Sequence, residues 1–314
     1  MDVFLTVDVE TYGGNYEHDV HGLGKGLDYI LDQCAKHGVR ATFFVEALGA
    51  TQWGTDGLRR ACRMILDAGQ DVQLHVHPVL ADIPGFEDRE DVLWKHDAAV
   101  QRRLIGTGLD VLRECGVPRP CAFRAGDLAA DERTLDAMAA EKLYIGSNRD
   151  LDLKCSIRTR LNDRFPVRND VSRLGRIVDL PVTALRSPLP FLDGPQRHFE
   201  ISALSALEMT GGLVRMSRAG YSCATILTHP GEFFRLSRRG ADAIGKNCRR
   251  LERLMAFLKR RGDMRVLTVG ECAAKSTIPE SSPPEVWLNP VFSVVRVLEQ
   301  ARGRIQAFRH RRRG

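Results

Sequence analysis

At 314 residues, with 43% hydrophobic and 27% charged side chains, the chain is long enough for one large barrel or two ordinary domains and has the balance of a folded protein rather than a disordered one. Its formal charge of +6 sits in one place. From Pro290 onward seven arginines (Arg296, Arg302, Arg304, Arg309, Arg311, Arg312, Arg313) face one acid, Glu299, so the other 39 basic and 39 acidic residues cancel, which excludes a broad nucleic-acid-binding face.

Val3 to Val9 is apolar and β-branched and reads as a strand, with a Gly-rich loop around Gly13, Gly14, Gly22 and Gly24 after it. Leu27, Ile30, Leu31 and Cys34 recur at helical spacing and stop at His37-Gly38. A strand follows at Arg40–Val45, a helix from Asp56 to Ala68 closed by Gly69, a strand at Asp71–Val76, and a long helix from Trp94 to Cys115. Further strands are predicted near Cys121–Phe123, Leu143–Ile145, Ile177–Leu180, Thr225–Leu227 and Arg265–Val269, and helices at Glu132–Glu141, Ser202–Arg218 and Gly240–Arg261. The stretches Asn148–Arg176 and Arg186–His198 read as irregular loops facing an active site.

Strand–helix alternation over about 270 residues predicts a parallel sheet, and seven or eight units suit a barrel with its functional residues at the C-terminal strand ends. A doubly wound sheet is the competing topology, but no GxGxxG follows the first strand to support it. The expected organisation is a catalytic barrel over 1–275, then a linker around Ser276–Pro284 and a basic tail to residue 314. The eight cysteines are dispersed without a CxxC pair and read as small core residues. The opening residues lack a basic n-region, and no run approaches the roughly 18 apolar residues of a membrane span; a cytoplasmic location is expected.

The chemistry gathers at strand ends. Asp8 and Glu10 are two apart on an extended segment, so both carboxylates aim at one spot, and His75 and His77 repeat that arrangement with two imidazoles. Singly, a strand-end carboxylate more often caps a loop, and a His-x-His pair is as often core or surface. Together they predict a divalent-metal site with positions open to water. His229 in Leu227-Thr228-His229, Arg124 after Ala122-Phe123, and Asp179 in Val178-Asp179-Leu180 are three more polar strand ends. Arg124 beside Asp8 would hold that carboxylate ionised.

This order of motifs resembles the NodB-homology polysaccharide deacetylases, carbohydrate esterase family 4, over about residues 2–272. The family's Thr-x-Asp, histidine, Arg, Asp and Leu-x-His motifs correspond here to Thr6-Val7-Asp8-Val9-Glu10, His75-Val76-His77, Phe123-Arg124-Ala125-Gly126, Val178-Asp179-Leu180-Pro181 and Leu227-Thr228-His229. The resemblance implies a distorted (β/α) barrel and a metal-dependent hydrolase, with zinc or another divalent transition ion, that removes an N-acyl group from an amino sugar in a glycan or glycan precursor. It further implies Asp8 as general base, Glu10, His75 and His77 as ligands, and His229 as general acid. Arg124 would orient Asp8, and Asp179 would orient or tune His229. The chain departs from the family where Glu10 stands one residue beyond the usual adjacent aspartate, where the histidines are two rather than four apart, and where Ala125-Gly126 replaces Pro and an aromatic; Asp8 and Glu10 can therefore exchange roles. The rival readings are another barrel-type metal hydrolase, an amidohydrolase or phosphoesterase, and a non-catalytic glycan-binding relative.

In the tail, Val291, Val294, Val295, Leu298, Ile305 and Phe308 recur at helical spacing with Ala301 between them, and Trp287 precedes them. That pattern is a basic amphipathic helix, which either docks on its own barrel or makes peripheral contact with an anionic membrane.

Overall fold

The computed structural model describes residues 1–10, 23–151, 159–237, 240–272, 278 and 281–311, of which 301–311 are described as backbone helix only. Gly13, Gly14, Gly22, Cys155, part of the 276–284 linker, and the tail side chains from Ala301 onward, Ile305 and Phe308 among them, lie outside the described residues.

The strands are β1 (Asp2–Val9), β2 (Thr42–Glu46), β3 (Asp71–Val76), β4 (Ala122–Ala125), β5 (Ile145–Gly146), β6 (Ser172–Leu174), β7 (Ile177–Asp179), β8 (Ala184–Arg186), β9 (Gln196–His198), β10 (Cys223–Thr228), β11 (Phe234–Ser237), β12 (Gly240–Ala243) and β13 (Arg265–Val266). The longer helices are α1 (Leu23–His37), α2 (Asp56–Asp67), α3 (Ala98–Glu114), α4 (Glu132–Ala140), α5 (Ala206–Arg218), α6 (Gly245–Lys259) and α7 (Pro290–Arg311). The main sheet runs β10-β1-β2-β3-β4-β5-β7-β6, with β13 joined to β1, and every pairing is parallel except that of β6 with β7. β1 is buried along its whole length, which is why its sequence is a nearly continuous apolar run instead of an alternating one.

The sheet curls into a distorted barrel. The free side of β10 is met by single hydrogen bonds from the segments after β7 and β9: Thr183 donates to the Thr225 carbonyl (3.1 Å), Phe199 to Thr183 (2.7 Å) and Leu227 to Phe199 (2.8 Å). The competing doubly wound topology is thereby excluded.

Several elements differ from the sequence expectation, each for a local reason. The stretch 186–198 is framed by a two-stranded antiparallel pair, β8 with β9. Residues 240–243 pair with β11, so α6 begins only at Gly245. α5 begins at Ala206, not Ser202, because Ser205 and Glu208 form a reciprocal capping box. The last strand stops at Val266, where Thr268 and Glu271 satisfy each other's backbone N–H groups and open a short helical turn.

The beginning of α7 packs on the barrel. Arg186 donates to the Val286 carbonyl (3.0 Å) and Leu288 to that of Arg186 (2.8 Å), while Ser293 and Arg296 are completely buried. Among the described residues no helix is long and apolar enough to cross a membrane.

Candidate active site

Strand geometry delivers the first four groups as expected. Asp8 is the penultimate residue of β1 and Glu10 follows its end; His75 lies in β3 and His77 just beyond it. Glu10 Oε1 is 3.0 Å from His75 Nε2 and 3.2 Å from His77 Nε2. Both imidazoles are buried, and each is held from behind through Nδ1: His75 by the Arg124 carbonyl at 2.8 Å, His77 by the Asp91 carboxylate at 2.7 Å.

Those rear partners decide the tautomers. A carbonyl or a carboxylate can only accept, so both Nδ1 atoms carry hydrogen; each Nε2 faces Glu10, donating to its carboxylate while protonated and offering a lone pair to a cation that takes the proton's place. Three electron-pair donors thus converge, with one atom from each of Glu10, His75 and His77 within 4.8 Å of one another. Burial alone would raise the Glu10 carboxyl, yet its hydrogen bonds to the two imidazoles hold it well below the usual range. Burial would lower His77, but Asp91 and Glu10 push it up to about 10. A cation in place of those protons would meet one carboxylate oxygen and two neutral imidazoles, the donor chemistry of a divalent-cation site, and the residues present fit one.

Asp8 is in a different environment. Its Oδ1 receives Arg124 Nη1 at 2.5 Å, and the same guanidinium bonds Thr6 Oγ1 (3.0 Å), Ser147 Oγ (2.8 Å) and the Ser147 carbonyl (3.2 Å) and stacks 4.3 Å over Phe44. Arg124 is wholly buried. With a fixed cation already against Asp8, a second one is better placed at Glu10.

His229 approaches from the turn after β10, with its Nε2 4.0 Å from Glu10. Its Nδ1 meets Glu232 at 3.2 Å, and the other Glu232 oxygen accepts from Thr228 (2.7 Å). Burial works against the imidazolium, while Glu232, Asp8 and Glu10 raise it to about 10. Behind Glu232 lies Glu200, raised to about 7 by burial and by the neighbouring Glu232 charge.

Asp179 is placed otherwise than expected. Its carboxylate receives Arg149 Nε at 2.7 Å and the Asn148 backbone N–H, both deep in the protein, and the group on His229 Nδ1 is Glu232. Burial raises the Asp179 carboxyl, and Arg149 counters it.

Two glycines make room for this assembly. A Cβ on Gly126 would lie 2.5 Å from the His77 ring, and one on Gly26 would lie 2.0 Å from the Pro230 carbonyl oxygen. Gly126 is the departure noted in the Arg motif, and here it lets the His77 imidazole lie flat against the backbone.

Sequence reasoning missed Asp91, Glu232, Glu200 and Arg149. Glu232 had a signal, since His229-Pro-Gly-Glu232 puts a carboxylate one tight turn beyond the histidine. Asp91 had none: it lies fourteen residues from His77 in an irregular acidic loop.

No protein-family profile matches the sequence, and no curated protein does. Solved structures do. A Mycobacterium smegmatis protein assigned as a polysaccharide deacetylase superposes with a TM-score of 0.60 at 17% identity, covering 91% of this chain and 94% of the other. This chain has the polysaccharide-deacetylase fold. A family 4 carbohydrate esterase from Streptomyces lividans in complex with acetate (TM-score 0.47, 14% identity, 88% and 97% covered) and a CE4 family pseudoenzyme from Bacillus anthracis (0.45, 14%, 86% and 64%) resemble it more distantly. At these identities the likeness establishes the polysaccharide-deacetylase fold; the chemistry has to be argued from the side chains.

Proposed function

We propose that the chain is a metal-dependent hydrolase that removes an N-acyl group, acetyl first among them, from an amino sugar in a glycan or glycan precursor. The observation that carries this reading is the convergence of three lone-pair donors, Glu10, His75 and His77, between a carboxylate anchored by arginine and a histidine anchored by glutamate. A divalent ion bound there, zinc as the first choice, supplies Lewis acidity to the acyl carbonyl and to water.

The chain's own residues do the rest. Asp8, fixed in direction by Arg124, accepts a proton from the attacking water. His229 donates the proton that an amine needs in order to leave, and Glu232 keeps that imidazole charged and oriented. In this reading Glu232 has the role the resemblance gave to Asp179, and the Asp179–Arg149 pair braces the barrel wall behind the site. A non-catalytic glycan binder needs no such division between a base and an acid, and the fold's likeness to a polysaccharide deacetylase supports the amide reading over a phosphoesterase.

The test is amine release from acetylated chitooligosaccharides, with a phosphodiester as control. The protein stripped by a chelator should be inactive and regain activity with Zn²⁺, and Asp8→Asn should keep the metal while losing about 10²–10⁴-fold in turnover. Activity untouched by the chelator, or loss of metal in Asp8→Asn, refutes the assignment.

A further inference from the structure

The helix α7 buries a polar stripe and exposes an apolar one. The face against the barrel carries Ser293 and Arg296, both fully buried, with Arg296 Nε paired to Glu208 at 3.1 Å. One apolar stripe points outward: Val291 is 65% exposed, Val294 49% and Leu298 54%, and Trp287 just ahead of them is 53% exposed, while Phe292, Val295 and Val297 are half-buried. A helix that merely docks on its own domain would not leave Val291, Val294 and Leu298 in water while it buries an arginine. The outward spacing 291, 294, 298 continues in sequence through Ala301, Ile305 and Phe308.

The direction of the helix is fixed by its contacts. Phe292 packs on Gly211, Arg296 meets Glu208, and Glu299 meets Arg250 at 3.3 Å, so α7 runs antiparallel to α5. Arg250 in turn donates to the Ile201 and Ser202 carbonyls, and Ile201 bonds Leu227, two residues before His229. α7 therefore climbs the barrel wall toward the catalytic mouth, and its helical backbone continues to Arg311.

We propose that α7 docks on an anionic lipid surface and so lays the barrel wall that carries α5 along the bilayer. The charge decides between a membrane and a second copy of the chain. Beyond Glu299, which is engaged by Arg250, the sequence holds six arginines and no acid, so two tails side by side repel while anionic headgroups attract them. This inference is independent of the reaction, because it rests on surface and charge alone.

The experiment is co-sedimentation of the full chain with vesicles of phosphatidylcholine plus phosphatidylglycerol, and with pure phosphatidylcholine. Binding is expected on the mixed vesicles, to fall with salt, and to be weak on the neutral ones. Arg302→Gln/Arg304→Gln/Arg309→Gln should weaken it on the order of a hundredfold. Val294→Asn/Leu298→Asn should weaken it at least about tenfold, and circular dichroism checks that both variants stay folded. Equal binding to the two vesicle types, or binding unchanged in either variant, overturns the proposal. So does a dimer in sedimentation equilibrium that Val294→Asn/Leu298→Asn dissolves, since the stripe would then belong to a second copy.

Discussion

Replacing Asp91 by asparagine changes shape by almost nothing and acceptor chemistry by half. In the protein one Asp91 oxygen receives His77 Nδ1–H at 2.7 Å and the other receives the Val79 N–H at 3.2 Å. An amide has a single oxygen. If it turns that oxygen to His77, its NH₂ confronts the Val79 N–H and the charge behind the imidazole is gone. If it turns the NH₂ to His77, the imidazole must move its hydrogen to Nε2, and the lone pair aimed at the site disappears. Either way the donor set is weakened without touching a ligand. Such rear partners are worth about 10–100-fold in metal affinity, or about 1.4–2.7 kcal/mol. Competition for Zn²⁺ against a chromophoric chelator measures this directly, with a thermal melt to show that the fold persists. An affinity within about twofold of the parent would refute the reasoning that Asp91 sets the His77 tautomer.

The remaining expectations concern the acidic relay beside His229. Glu232→Gln removes the carboxylate that holds His229 near 10, so the imidazole should titrate lower and the alkaline limb of the kcat–pH profile should move to lower pH, with little change below the ordinary histidine range; an unmoved limb would separate Glu232 from the proton donor. Glu200 is raised from 4.5 to about 7, so the folded state prefers its protonated form: the stability it contributes is full below about pH 4.5 and is lost as the pH rises through 7. The loss reaches about 3 kcal/mol, and Glu200→Gln should abolish it, making the variant more stable than the parent in urea at pH 8 but not at pH 4.5. Parallel pH dependence in parent and variant would show that the buried proton resides elsewhere.

What could be read from the sequence was whatever a short-range period encodes. Asp8 with Glu10, and His75 with His77, share a direction because a strand alternates every residue, and their convergence follows once both strands are parallel neighbours in one sheet. Helix ends at Gly38 and Gly69 were legible because both glycines hold positive φ, 64° and 71°. The barrel itself was legible through strand–helix alternation, since parallel strands demand crossovers.

Contacts between segments distant in sequence were decided only by the tertiary structure. Nothing local says that the Arg124 backbone carbonyl holds His75, or that Asp91 holds His77, because those bonds form when β4 and an irregular loop are brought against β3. Asp179 sits on a strand end as its motif suggests, but a buried carboxylate takes the nearest buried cation, and packing put Arg149 there. In the tail the heptad spacing was plain, yet periodicity names two faces without saying which one turns inward. Arg296 faces inward because Glu208, 88 residues earlier, is buried in the capping box of α5 and accepts its hydrogen bond; that partner turns Val291, Val294 and Leu298 toward the solvent.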